Sequence, residues 1–163
     1  MKMFGKKKDE RPAIRTKPED IISTVRSALE SNQIKFNYVE DRKVFQTGFM
    51  GDDLPITAII AIDDVNIHFA CMLDLKAKVD NFKEVAWNLN CINKTLAYGS
   101  FFLDPNDGTI TFEYGFPYTE ADVSERFILD FLKGTVQTVD QYDGDLKTMA
   151  EKGNTRYDDR MFA

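Results

Sequence analysis

Three apolar runs separated by very short turns constrain this chain more than any other feature. They are "KVFQTGF" (43–49), "LPITAIIAI" (54–62) and "VNIHFACML" (65–73). Gly51-Asp52-Asp53 and Asp63-Asp64 stand between them. Turns this short join only antiparallel neighbours, because a parallel pair needs a crossover of about a dozen residues or more. In 65–73, Val65, Ile67, Phe69, Cys71 and Leu73 share one face, and Asn66, His68, Ala70 and Met72 the other. The 54–62 run is apolar on both faces, the pattern of a central strand. Upstream, Ile34, Phe36 and Tyr38 alternate with polar residues and add one more strand.

Helical period flanks this block. Thr16-Lys17-Pro18-Glu19 reads as a helix start, with a hydroxyl cap and Pro in the first turn. Ile21, Ile22, Val25, Ala28 and Leu29 then form one apolar stripe. Over 80–97, Phe82, Val85, Ala86, Leu89, Ile92 and Leu96 form a second. Thr119, with Asp122 three residues on, reads as the cap of a third helix reaching about residue 150. The order is α-β-β-β(-β)-α-β-β-α, an α+β fold with helices packed on an antiparallel sheet. Residues 1–15 read as a disordered basic leader, 16–150 as a single domain and 151–163 as a tail.

The stretch "YGSFFLDPNDGTITFEYGFP" (98–117) poses a choice between a metal site and a hairpin. A calcium loop needs oxygen ligands at alternate positions, then Gly, then Glu six residues later. Here Glu113 comes five residues after Gly108, and Asp104, Asn106 and Asp107 are spaced too tightly. The hairpin reading needs no exception. Pro105 to Gly108 suit a turn, and Ile110, Phe112, Tyr114 and Phe116 alternate with Thr111, Glu113 and Gly115. No metal or other cofactor is expected. No enzyme is expected either: the chain has one His and lacks P-loop, G-x-S-x-G, H-E-x-x-H and C-x-x-C motifs.

Charge narrows the partners. The 163 residues carry a net charge of −6, yet residues 1–17 carry +5, which leaves −11 on the rest. An acidic body argues against nucleic acid. No apolar run approaches the roughly 20 residues of a bilayer span. Cys71 and Cys91 fall on different elements, as reduced thiols of a cytoplasmic protein would.

The segment "LNCINKTLAYGSFFLDPNDGTITFEYGFP" (88–117), followed by an amphipathic helix, resembles the YbjN family of bacterial sensory-transduction regulators. The matching residues are Asn90, Asn93, Tyr98, Gly99, Phe101, Leu103, Asp104, Asp107, Gly108 and Phe112, and the likeness extends over about 17–150. It implies a secretion-chaperone-like fold and a small, dimer-prone interaction domain, and it carries no catalytic residue. The Lys-rich leader and the acidic "DQYDGDL" (140–146) depart from that pattern.

Four residues stand out as partner-binding candidates. On a wheel of about 100° per residue, Trp87 and Cys91 fall opposite the core stripe of the second helix. Phe102 points away from the apolar face of its strand. Leu129 belongs to a third-helix stripe, Val123 to Leu132, that is wider than one sheet needs. The reading is a non-enzymatic protein-binding or regulatory domain, homodimeric, with a protein partner. One alternative is a secretion-type chaperone holding a client segment. Another is a small-molecule sensor or enzyme, which a pocket containing His68 or paired carboxylates would favour.

Overall fold

Alternation in the strands builds one continuous apolar wall. In the computed structural model, which describes residues 16–153, six strands form a single antiparallel sheet in the order β1-β2-β3-β4-β6-β5. They are β1 (Asn37–Val39), β2 (Val44–Met50), β3 (Pro55–Ile62), β4 (Asn66–Lys76), β5 (Ser100–Leu103) and β6 (Thr109–Pro117). Three helices complete the order: α1 (Pro18–Ser31), α2 (Phe82–Asn93) and α3 (Glu125–Lys152). The expected α+β class and element order are what the fold shows. The leader, residues 1–15, and the tail beyond Gly153 lie outside the described residues.

Register carries the wall across the sheet. Phe45 pairs with Ile60, Ile60 with Phe69, and Phe69 with Tyr114. Ile56, Ile67, Cys71, Phe101, Ile110 and Phe112 are buried on the same face. The tight β3–β4 turn is held by the Asp63 carboxylate, which accepts from the Val65 and Asn66 amides at 2.7 and 2.6 Å. The Tyr118 hydroxyl donates to the Asp63 carbonyl at 2.7 Å, tying the end of β6 to that turn.

The helices cover this wall. α1 buries Ile21, Val25, Ala28 and Leu29. Its start lies one residue later than expected: Lys17 is the N-cap, and its backbone N–H donates to the Asp20 carboxylate at 3.1 Å. α3 packs on the sheet and alongside α1, which accounts for its wide apolar stripe. Phe131 stacks on Tyr114 with ring centres 5.2 Å apart, and Phe127 meets Phe116 edge-on at 4.9 Å.

Two helix boundaries differ from expectation. α3 starts after Ser124, whose hydroxyl accepts from the Phe127 amide at 3.2 Å, and not at Thr119. Tyr118, buried and tied to Asp63, holds 118–121 in a turn instead. α3 also passes residue 150 and ends at Lys152, with Gly153 in the left-handed region.

The opposite face of the sheet is covered by no described element. It runs in register across five strands: Gly48, Thr57, Met72, Thr111 and Phe102 in one row, and Gln46, Ile59, Ala70, Glu113 and Ser100 in the next. Val44, Ala61, His68 and Gly115 form a third row. The double-sided apolar pattern of β3 therefore does not mean helices on both faces.

Candidate partner-binding surface

β5 is an edge strand, and unpaired edge backbone invites another strand. Here the side chain of Asn93, at the end of α2, occupies the edge. Its Oδ1 accepts from the Phe101 amide at 2.7 Å, and its Nδ2 donates to the Phe101 carbonyl at 3.0 Å. A primary amide offers one acceptor and two donors, so it satisfies both groups of one residue as a neighbouring strand would. Gly99 precedes the strand with φ of 69°, and a Cβ there would run into the Phe112 ring. Beyond β5, the Asp104 Oδ1 accepts from the Asn106 amide at 2.8 Å and the Asp107 Oδ1 from the Thr109 amide at 3.0 Å. Asp107 also meets the Lys76 ammonium at 2.6 Å. These carboxylates build the turn, and Lys76 with the Thr109 hydrogen bonds holds Asp107 down at about 2.

Between α2 and β5 runs an open, mainly apolar groove of about 440 Å³. Phe82, Ala86, Leu89, Phe101, Phe102 and Leu103 supply its apolar lining. Phe102 is 49% exposed and projects at the junction of this groove with the open sheet face.

The four candidate residues do not converge. Trp87 is 47% exposed on α2, beside the groove residue Ala86 but not lining the groove. Leu129 lies in a separate cleft of about 400 Å³ with Ile34, Phe49, Leu132 and Val136, rimmed by Asn32 and Lys133. Cys91 is only 2% exposed, which corrects its placement on the outer face. The buried arc of α2 is Val85, Asn88, Leu89, Cys91 and Ile92, rotated away from Ala86 toward Asn88. A wheel weighted by apolar residues misses this, because it counts the buried polar Asn88 as outward. Asn88 is fully buried, and neither side-chain polar atom has a hydrogen-bond partner.

The groups with chemical potential serve other ends. Burial pushes the Cys71 thiol up to about 12, far from a reactive thiolate. His68 Nε2 lies 3.0 Å from the Asp63 carboxylate, and both side chains are about half exposed at the β3–β4 turn. The Asn66 and Val65 amides, then His68, hold Asp63 well below the usual carboxylate range. The acidic segment of α3 grips the β2–β3 turn. Asp143, 2% exposed, accepts from the Asp53 and Leu54 amides at 3.0 and 2.9 Å, and Asp140 accepts from Asp52 at 2.7 Å. Among the described residues no group of three or more His, Cys, Asp or Glu is placed to hold a metal ion. No helix among them is long and apolar enough to cross a membrane. Sequence reasoning missed the Asn93 clamp and the Asp143 latch, since both join residues whose pairing only the fold reveals.

Comparison with solved structures finds this fold elsewhere. The crystal structure of YbjN, a putative transcription regulator from E. coli, superposes with a TM-score of 0.64 at 16% identity, covering 76% of this chain and 92% of that one. An uncharacterized protein from Methanothermobacter thermautotrophicus superposes with a TM-score of 0.54 at 12% identity, covering 78% and 97%. At these identities the likeness is one of fold. No curated protein matches the chain. The family model for YbjN, described as "Putative bacterial sensory transduction regulator", matches residues 22–147. That match spans the strands, the clamped β5 edge and most of α3, and with it the chain belongs to the YbjN family.

Proposed function

We propose that this chain is a non-enzymatic, cytoplasmic regulatory domain that works by binding another protein. The observation that carries this reading is the α2–β5 groove. It is open and apolar, with half-exposed Phe102 in its lining and half-exposed Trp87, a residue type enriched at binding hot spots, next to the lining residue Ala86 on α2. Because Asn93 already fills the strand edge at Phe101, the partner enters by apolar side chains and not by strand addition there. The regulator description of the family supports the same reading. The absence of a paired nucleophile and base around His68 and Cys71 supports a binding role over catalysis.

The test is capture of partners from native lysate on wild-type protein and on Ala86→Arg, which puts a charge into the groove without touching the core. A protein retained by the wild type and lost by Ala86→Arg supports the reading. Identical recovery by both overturns it. The cleft around Leu129 favours a second reading, a secretion-type chaperone holding a client segment. In that case Leu129→Arg, not Ala86→Arg, releases the bound protein.

A further inference from the structure

Three rows across the middle of the uncovered face are nearly free of charge. Of the fourteen residues in these rows, Glu113 is the one carboxylate and none is Lys or Arg. In a chain where 29% of residues are charged, about four would be expected on a solvated face of this size. In their place stand Val44, Ile59, Ala61, Ala70, Met72 and Phe102. Met72 is 42% exposed and Phe102 49%. Charge lies toward the two ends of the sheet, with Asp63 and Asp64 at one and, at the other, Asp52, Asp53 and the last residues of β4, Asp74 and the Asp107-paired Lys76.

From this arrangement we propose that the open face of the sheet, centred on Met72 and Ala70 of β4, is a homodimer interface whose occupant is the same face of a second copy. Three arguments select a second copy. First, the chain carries −6, so two copies repel, and a face with a single carboxylate in three rows opposes their approach least; that carboxylate, Glu113, keeps the Thr111 hydroxyl as a hydrogen-bond donor. A partner of different sequence would find only Glu113 in these rows to steer or orient it. Second, the size suffices. Five strands at a spacing of about 4.8 Å, by rows spanning about 20 Å, give a patch on the order of 500 Å² in projection. Two such faces together remove on the order of 1,000 Å² or more, the threshold of a specific interface.

Third, the relief is self-complementary. The large side chains Met72 and Phe102 stand on β4 and β5, while β2 contributes Gly48 to the same row. A twofold axis parallel to the strands lays the β5 half of one sheet over the β2 half of the other. Phe102 then covers the partner's Gly48, β3 faces β6, and Met72 meets the partner's Met72. This inference goes beyond the groove-binding reading and does not depend on it.

The experiment is the mass of the full chain in solution, measured by sedimentation equilibrium across micromolar concentrations. The expected result is a dimer for the wild type. Met72→Lys, at an exposed position, places two lysines against each other across the axis. It is expected to sediment as a single chain that keeps the circular-dichroism spectrum of the wild type. Met72→Glu alone is expected to do the same, and a mixture of the Lys and Glu variants is expected to regain the dimer mass. Trp87→Ala is expected to remain dimeric. A monomeric wild type overturns the proposal. So does a dimer that survives Met72→Lys, or one that is lost on Trp87→Ala.

Discussion

At the scale of single residues, Asn93 shows how one amide can govern an edge. It holds both backbone groups of Phe101 and leaves the groove beside it to apolar contacts. Truncation to alanine strips a partly buried N–H and C=O of their partners. Asn93→Ala should therefore cost about 1–3 kcal/mol, read from a denaturation midpoint. Asn93→Asp keeps the acceptor for the Phe101 amide but sets a carboxylate against its carbonyl, so it should also destabilise. An unchanged midpoint in either variant would refute the clamp. Trp87 makes a contrasting case. Half exposed beside the groove, its truncation should leave the midpoint nearly unchanged while weakening the partner contact by about 2 kcal/mol, measured by titration with the captured protein. Asn93 was legible as part of a family resemblance, yet its role was not. Hydrogen bonds eight residues apart across a helix end and a strand leave no periodic trace.

At the scale of elements, three turns are held by carboxylates, in two different ways. The β2–β3 turn is gripped from outside, by Asp143 of α3, in a buried position. Asp143→Asn keeps the size but loses the charge that strengthens both hydrogen bonds. A loss of about 1.5–3 kcal/mol is expected from the denaturation midpoint. The β3–β4 and β5–β6 turns are held from within, by Asp63 and Asp107, whose acidities the fold raises. A carboxylate depressed in the fold stabilises it above the unfolded value of 3.8, and that contribution fades as pH falls toward the folded value. The melting temperature should thus fall as pH drops from about 4 toward 2. The gap between wild type and Asp63→Asn should shrink over the same range. A constant gap would remove Asp63 from the explanation. The elements themselves were legible from period, to within a few residues. Where they were misplaced, a tertiary contact prevailed: Tyr118 on the Asp63 turn delayed α3, and buried Asn88 rotated α2 toward Cys91.

At the scale of the whole molecule, the sequence pattern reveals that β3 is apolar on both faces but not what lies against the second one. An apolar side chain facing a helix and one facing a second copy leave the same letters in the chain. α1 and α3 were readable as amphipathic, whereas their packing side by side on one face required the fold. That neighbourhood, between the first and last helices described, also sets an order of events during synthesis. The 28 residues of α3 leave a ribosome after the whole sheet, taking about 1.5–6 s at roughly 5–20 residues per second. Until they emerge, Phe69, Tyr114 and Phe116 have no Phe127 or Phe131 to cover them. A nascent chain halted before residue 125 should therefore bind a hydrophobic dye and be captured by holding chaperones. One halted well past residue 152 should not. Slow codons shortly before residue 125 would lengthen that vulnerable interval without changing a single amino acid.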